Sequence, residues 1–398
     1  MLTRREILRR SSVLSLAPML PAFLTRTAIA AKPERDARIL VVVQLDGGND
    51  GINTVVPYRD EAYPRLRREL RIAGDRVCKL NDEVGLHPSM RSAADMVQDG
   101  RLAIVQGVGY PNPDRSHFRS MAIWQTASPE DPGPASNGWL GRALDAIPGR
   151  RDPSAVFIGR RELPRALRSR RAITASFADP SDLALALPAD ADAQHPDPNA
   201  SDLSVFVQQT VAGGYATARE LAEANGRRAK SKSAVRYPDG ELGRQMQLVA
   251  QSILSGAAAR VYYVIQPGYD THQAQGPAHS QLLGELSRSL RAFHDDLAAA
   301  GRADEVVTLA FSEFGRRPEE NGSLGTDHGT AGPVFLAGKA VRPGPIGTTP
   351  KLTDLVNGDL RWNIDFRRVY ATILDRWLQI PSESILGQRF EPVPILKV

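Results

Sequence analysis

Three features of the sequence predict an α/β architecture with a mostly parallel sheet flanked by helices. Short apolar, β-branched runs recur along the chain, helical apolar spacing separates them, and a cluster of polar or charged residues follows each run. Ile39 to Leu45 (ILVVVQL) is the first run, nearly continuous in apolar character and so suited to a strand buried on both faces. Leu102 to Val108, Val261 to Ile265 and Val306 to Phe311 are read the same way, with Val334 to Leu336 a weaker fifth.

Glu241 to Ala258 is predicted as a helix ahead of the third run. Between the third and fourth runs, Leu282, Leu283, Leu286, Leu290, Phe293 and Leu297 recur at helical spacing, which predicts a crossover helix over 279–300. Asn363 to Leu378 is predicted as a closing helix, with Phe366, Tyr370, Ile373, Leu374 and Trp377 on one side.

The middle of the chain differs in composition. Residues 150–171 hold eight arginines, whereas 178–202 hold six aspartates, four prolines and no Lys or Arg. Both stretches read as solvated surface, the alternative being that the arginines overhang a site and attract anionic groups. Residues 142–240 are therefore expected to form a loop-rich cap or insertion on a single domain spanning 31–398.

With 398 residues, 42% hydrophobic and 24% charged, the chain has material for a large core, which excludes disorder and a collagenous build. The formal charge of +5 points at first to an acidic partner, but the first 30 residues carry five arginines and one glutamate. Their removal leaves +1, so the charge argument for nucleic acid falls away.

Those residues read as a twin-arginine export signal, 1–30. Arg4-Arg5 is followed by an uncharged run from Ser11 to Thr25 and by Ala28-Ile29-Ala30 at a cleavage site. That run contains Pro18 and Pro21 and falls short of the roughly 20 apolar residues that span a bilayer. The expected partner is the twin-arginine machinery, the expected location the periplasm or beyond, and no stable membrane span is expected in the mature protein. Lone Cys78 forms no intrachain disulfide.

Each strand exit carries chemistry. The four exits are Asp46-Gly47-Gly48-Asn49-Asp50, Asp114-Arg115-Ser116-His117, Asp270-Thr271-His272 and Ser312-Glu313-Phe314-Gly315-Arg316. A fifth cluster, Thr326-Asp327-His328, lies in a glycine-rich loop. Ligands of open α/β sheets bind outside the carboxyl ends of the strands, so the clusters are expected to converge. Carboxylates and imidazoles without thiolates suit one or two divalent ions, zinc or manganese, in a hydrolytic site. Ser116 opens a helical stretch, a position that suits a nucleophile attacking phosphorus or sulfur. The chain lacks a G-x-S-x-G elbow and a G-x-x-x-x-G-K-[ST] loop, which argues against esterase triads and nucleotide-loop chemistry.

Taken together, the export signal, LDGGNDGINTVVPY, RSHFRSM, GYDTH, SEFGRRPEENGSLGTDHGT and DFRRVYATIL resemble the exported bacterial family called domain of unknown function fifteen-oh-one. That family is in turn similar to the alkaline phosphatase and sulfatase superfamily. The resemblance implies an alkaline-phosphatase-like sheet with two metal sites at its strand ends. By position it implies Asp46 and Glu313 in the first metal site, Ser116 as nucleophile, and Asp270, His272 and His328 in the second. Phe314 departs from the pattern, standing where an Asp-His pair usually supplies a first-site imidazole. Asp270 and His272 are also closer in sequence than in alkaline phosphatases.

Arg115, Arg119 and Arg316 are candidates for gripping anionic oxygens, while Asp50, His117 and Asp327 are second-tier residues that orient a ligand or cap a turn. The expected function is an exported metal-dependent hydrolase of phosphate or sulfate esters, acting on an anionic small molecule or polymer. The alternative is a non-catalytic binding protein that keeps the fold.

Overall fold

The computed structural model describes residues 38–128, 136–147, 154–178 and 235–397. The export signal, the acidic stretch 179–202 and His195 lie outside the described residues.

A nine-stranded sheet forms the centre. Its strands in chain order are β1 (Ile39–Asp46), β2 (Leu102–Gly109), β3 (Ala155–Ile158), β4 (Thr174–Phe177), β5 (Val261–Pro267), β6 (Val306–Phe311), β7 (Gly332–Ala337), β8 (Gly344–Ile346) and β9 (Ile364–Asp365). Their spatial order is β8-β2-β7-β6-β1-β5-β3-β4, with β9 beside β2. Strand β1 pairs in parallel with β5 and β6, and β3 in parallel with β5 and β4. Only β7 runs antiparallel, wedged between β2 and β6. The sheet is mostly parallel, as the sequence predicts.

The helices follow from the apolar spacing. Among them are α1 (His117–Thr126), α2 (Glu241–Ser255), α3 (Gln275–Ala299) and α4 (Phe366–Thr372), the last continued by a π-helical turn, Ile373–Leu378. Alternate residues of β1 enter two cores: Leu40 and Val42 join one, Ile39, Val41, Val43 and Leu45 the other. Period-two side-chain alternation with both faces covered is why the strand reads as an unbroken apolar run. Leu283, Leu286, Leu290, Phe293 and Leu297 of α3 cover one face. Trp124 of α1 covers the other, stacked on Phe311 and Phe366 with ring centroids 5.2 and 4.4 Å away. Each such buried side chain contributes about 1.5–3 kcal/mol of transfer free energy, and Trp124 anchors the helix whose first residue is His117.

One expectation differs from the structure. Residues 155–158 and 174–177, read from sequence as part of a loop-rich cap, are strands completing one side of the main sheet. Four-residue strands flanked by arginines give too short a periodic signal to separate from loop.

Candidate active site

Topology places the clusters together. Strands β1, β2, β5 and β6 share one direction, so their carboxyl ends share one edge of the sheet. Strand β7 runs the other way, so the loop before it, which carries Asp327 and His328, reaches that same edge. Gly47 makes the close approach possible, with φ at +121° and a hypothetical Cβ lying 2.4 Å from the backbone nitrogen of Asp270.

The entry to α1 is fixed by local hydrogen bonds. The Asp114 carboxylate accepts from the Ser116 N–H at 2.7 Å, and the Tyr110 hydroxyl accepts from the Asp114 N–H at 3.0 Å. Ser120 donates its hydroxyl to the Glu313 carbonyl at 2.6 Å, tying α1 to the exit of β6. Ser116 stands exposed at the N-cap, and its side chain makes no capping hydrogen bond.

Three imidazoles converge on one carboxylate oxygen. Asp270 Oδ1 lies 3.4 Å from His117 Nε2, 3.1 Å from His272 Nε2 and 3.2 Å from His328 Nε2. The opposite nitrogen of each ring has its own partner. His117 Nδ1 is 2.8 Å from Glu313 Oε1, His328 Nδ1 is 2.8 Å from the Arg115 carbonyl, and His272 Nδ1 is 3.4 Å from Asp327 Oδ1. A carbonyl only accepts, so His328 carries its proton on Nδ1 and, when neutral, presents a lone pair at Nε2. The Glu313 carboxylate, at 2.8 Å, favours the same tautomer in His117.

This donor set fits a divalent cation. His117 Nε2 is buried with no hydrogen-bond partner, and the Nε2 atoms of His272 and His328 stand 2.9 Å apart. Two imidazole lone pairs at that separation repel unless a proton or a cation lies between them. Ligands about 2.0–2.1 Å from tetrahedral zinc stand about 3.3 Å from one another, close to the spacings here. Among the described residues, the ligand atoms of His117, Asp270 and His328 all lie within 4.8 Å of one another, and His272, Asp46 and Glu313 fall outside that group.

The electrostatics keep the carboxylate ionised. Burial pushes the Asp270 carboxyl up, but the hydrogen bond and charge of the Arg316 guanidinium outweigh it and hold the pKa at about 2. His117 is raised above the ordinary imidazole value, chiefly by its bond to Glu313. His328 is lowered, chiefly by burial. Phe314 lies tilted against both His117 and His328 with ring centroids 4.9 Å away. It packs the imidazoles in place.

The other expected site residues are placed as follows. Glu313 is buried, with Oε1 accepting from the Gly47 N–H at 3.0 Å and Oε2 lying 2.8 Å from the Ser312 hydroxyl. Asp46 pairs through Oδ2 with Arg161 at 2.6 Å, and its Oδ1 accepts from Gln44 at 3.1 Å. Arg316 is fully buried and donates to the carbonyls of Gly47, Gly48, Tyr269 and Thr326 as well as to Asp270. Those bonds hold the exits of β1 and β5 and the hairpin Arg316–His328 together, and leave no donor facing open solvent.

Arg115 pairs with the buried carboxylate of Asp359, and the more exposed Arg119 with Asp114 at 3.4 Å. Asp50 caps a short helix and forms a buried two-pronged pair with Arg67 at 2.6 and 2.9 Å; both are structural contacts. Asp327 is exposed and reaches His272 and Asn321.

A crevice of about 590 Å³ opens beside the cluster, with Asp46, Gly47, His117 and Asp270 at one end. Arg161, Arg165 and Arg168 line it, so part of the arginine-rich stretch faces the crevice, while Arg170 and Arg171 bond to Asp145. Sequence reasoning left that question open, and it missed Arg161 and Phe118 as residues of the crevice. The signal for Arg161 was the arginine density; for Phe118 it was adjacency to Ser116-His117.

A mostly parallel sheet with a histidine–aspartate cluster at its carboxyl edge defines the class: a large α/β protein of the mostly parallel, helix-flanked kind. Over residues 37–386 the sequence matches the family described as "Protein of unknown function (DUF1501)", and the chain belongs to it. No curated protein matches the sequence. Similar solved structures include the lipoteichoic acid synthase LtaP from Listeria monocytogenes, 10% identical with a TM-score of 0.36 over 83% of this chain and 76% of that one. The PsFucS1 sulfatase from Pseudoalteromonas sp. is 12% identical with a TM-score of 0.40 over 93% and 75%. The C-terminal periplasmic domain of EptC from Escherichia coli, in complex with Zn, is 8% identical with a TM-score of 0.36 over 75% and 72%.

Proposed function

We propose that the chain is an exported, metal-dependent hydrolase of phosphate or sulfate esters. The observation that carries the reading is the convergence of three imidazole Nε2 atoms on Asp270 Oδ1, each ring held from behind by an acceptor. Residues that orient metal-binding histidines in this way are a recurrent part of such centres.

His117, Asp270, His272 and His328 would hold the ion, zinc or manganese by the chemistry of the donors. A divalent ion there supplies positive charge that stabilises the oxygens of an ester undergoing displacement. Glu313, Asp327 and the Arg115 carbonyl fix the rings. Ser116 is assigned as the nucleophile: it precedes His117, its hydroxyl is not consumed in capping, and the unpaired N–H groups of a helix start favour negative charge. Attack of Ser116 Oγ on phosphorus or sulfur forms a serine ester and releases the substrate alcohol, and water then cleaves that ester.

A single ion accounts for the geometry better than two. The carboxylates expected in a first site are engaged elsewhere, Asp46 with Arg161 and Glu313 with His117. Export through residues 1–30 completes the reading. Among the described residues, no helix is long and apolar enough to cross a membrane.

The test is to recover the protein from the periplasm, measure bound metal, and assay aryl phosphate, phosphodiester and aryl sulfate with wild type, Ser116→Ala and His272→Ala. Stoichiometric metal is expected in wild type and Ser116→Ala, with activity lost in both variants and metal lost in His272→Ala. A metal-free, inert wild-type protein overturns the reading.

A further inference from the structure

Phe118 is 91% exposed, whereas the other exposed large hydrophobic residues among those described, Leu324 and Val356, reach only 50% and 43%. It follows His117 on α1 and lines the crevice that Asp46, His117 and Asp270 also line. The helix presents a whole face there, because Phe118, Met121, Ala122 and Gln125 stand at the i, i+3, i+4, i+7 positions of one stripe and all line the crevice. Leu163 adds apolar surface from the segment after β3, and Arg161, beside Asp46, adds charge. Glu162, Arg165 and Arg168 line it as well, so the crevice joins the carboxylate–imidazole group, where the proposed ion would supply positive charge, to a wall of mixed apolar and basic character.

We propose that the substrate is an anionic ester with an apolar leaving group, its charged end at His117 and Asp270 and its apolar part along Phe118, Met121 and Leu163. Phe118 is then a specificity-determining residue. The proposal rests on the hydrolase reading above: the apolar stripe starts one residue from a side chain of the cluster and shares its crevice, so a substrate held at the cluster extends along it.

The test measures binding rather than turnover. Calorimetric titration of metal-loaded protein compares benzylphosphonate with methylphosphonate, and benzylsulfonate with methylsulfonate, in wild type and Phe118→Ser. The expected result is a preference of about tenfold for the benzyl member of the phosphonate or the sulfonate pair, the scale of covering one ring face. In Phe118→Ser that preference falls to within about twofold while methyl-compound affinity is unchanged. Equal affinities in wild type, or a preference that survives in Phe118→Ser, overturn this proposal and leave the hydrolase reading standing. Binding of none of the four compounds overturns both. A Phe118→Ser protein that changes only its oligomeric state assigns the ring to contact with a second copy of the chain, and overturns the substrate proposal.

Discussion

Replacing Glu313 with glutamine tests whether this residue orients His117 or holds an ion itself. Glu313 Oε1 meets His117 Nδ1 at 2.8 Å and the Gly47 N–H at 3.0 Å, and Oε2 meets the Ser312 hydroxyl at 2.8 Å. Glutamine is nearly isosteric: its Oε1 still accepts from both N–H groups, and its amide donates to the Ser312 oxygen. The fold should therefore survive with a loss of about 1 kcal/mol, the scale of one neutral hydrogen bond. What disappears is the charge that raises the His117 pKa and makes Nε2 a strong donor. Loss of such a supporting partner typically lowers metal affinity about 10- to 100-fold, or about 1.4–2.7 kcal/mol. Competition of the bound ion against a calibrated chelator reads that change directly, with His117→Ala as the reference for full loss of one ligand. Unchanged affinity in Glu313→Gln would refute the orienting role. So would abolition of binding in Glu313→Gln while His117→Ala still binds, because Glu313 would then be the ligand and His117 a bystander.

Two further outcomes are expected. Arg316→Lys, which cannot reproduce a guanidinium fork serving four carbonyls and Asp270, should cost about 3 kcal/mol in urea unfolding; unaltered stability with weakened substrate binding would instead make Arg316 a substrate contact. Acid should destabilise the fold through His279 and His294, whose pKa values burial lowers to about 4 and about 3. Because these folded-state values lie below the unfolded value of about 6.5, the unfolded chain binds more protons as pH falls, and stability present above pH 6.5 drains away below it. At pH 4 each contributes a loss on the order of 3 kcal/mol. His294→Gln, able to keep a bond to Thr308, should remove its share of the slope; an unchanged slope between pH 6.5 and 4 would contradict the assignment.

The parts of the fold legible in the sequence are those where one local pattern decides the outcome. Strands β1 and β6 sit between two cores, so nearly every position is apolar and the runs appear without reference to any partner. The leucine stripe of α3 is equally self-contained. Strands β3 and β4 are short and bracketed by arginines, and only the pairing of β3 along β5 and of β4 along β3 makes them strands. The closing helix begins later than its apolar spacing predicts because Asp365, whose carboxylate accepts from the Arg367 N–H at 3.0 Å, caps it there. The role of Arg161 depends on Asp46, 115 positions earlier, and no spacing rule reaches that far.

His117 shows most clearly why the cluster could be anticipated only in part. Asp270, His272 and His328 stand out as ligand candidates at strand exits, while His117, in the exit cluster of β2, reads only as a second-tier residue beside Ser116. Its place is set by Glu313 behind it, by Phe314 beneath its ring and by the anchoring of α1 through Trp124. Phe314 occupies the position where the family resemblance implies an imidazole, and read along the chain this is a missing ligand. In three dimensions the phenyl ring packs against an imidazole supplied by a different element, the start of α1. A tally of ligands by sequence position therefore undercounts a site that strand-end topology fills in space, and the identity of the residue at 314 does not by itself decide how many imidazoles reach Asp270.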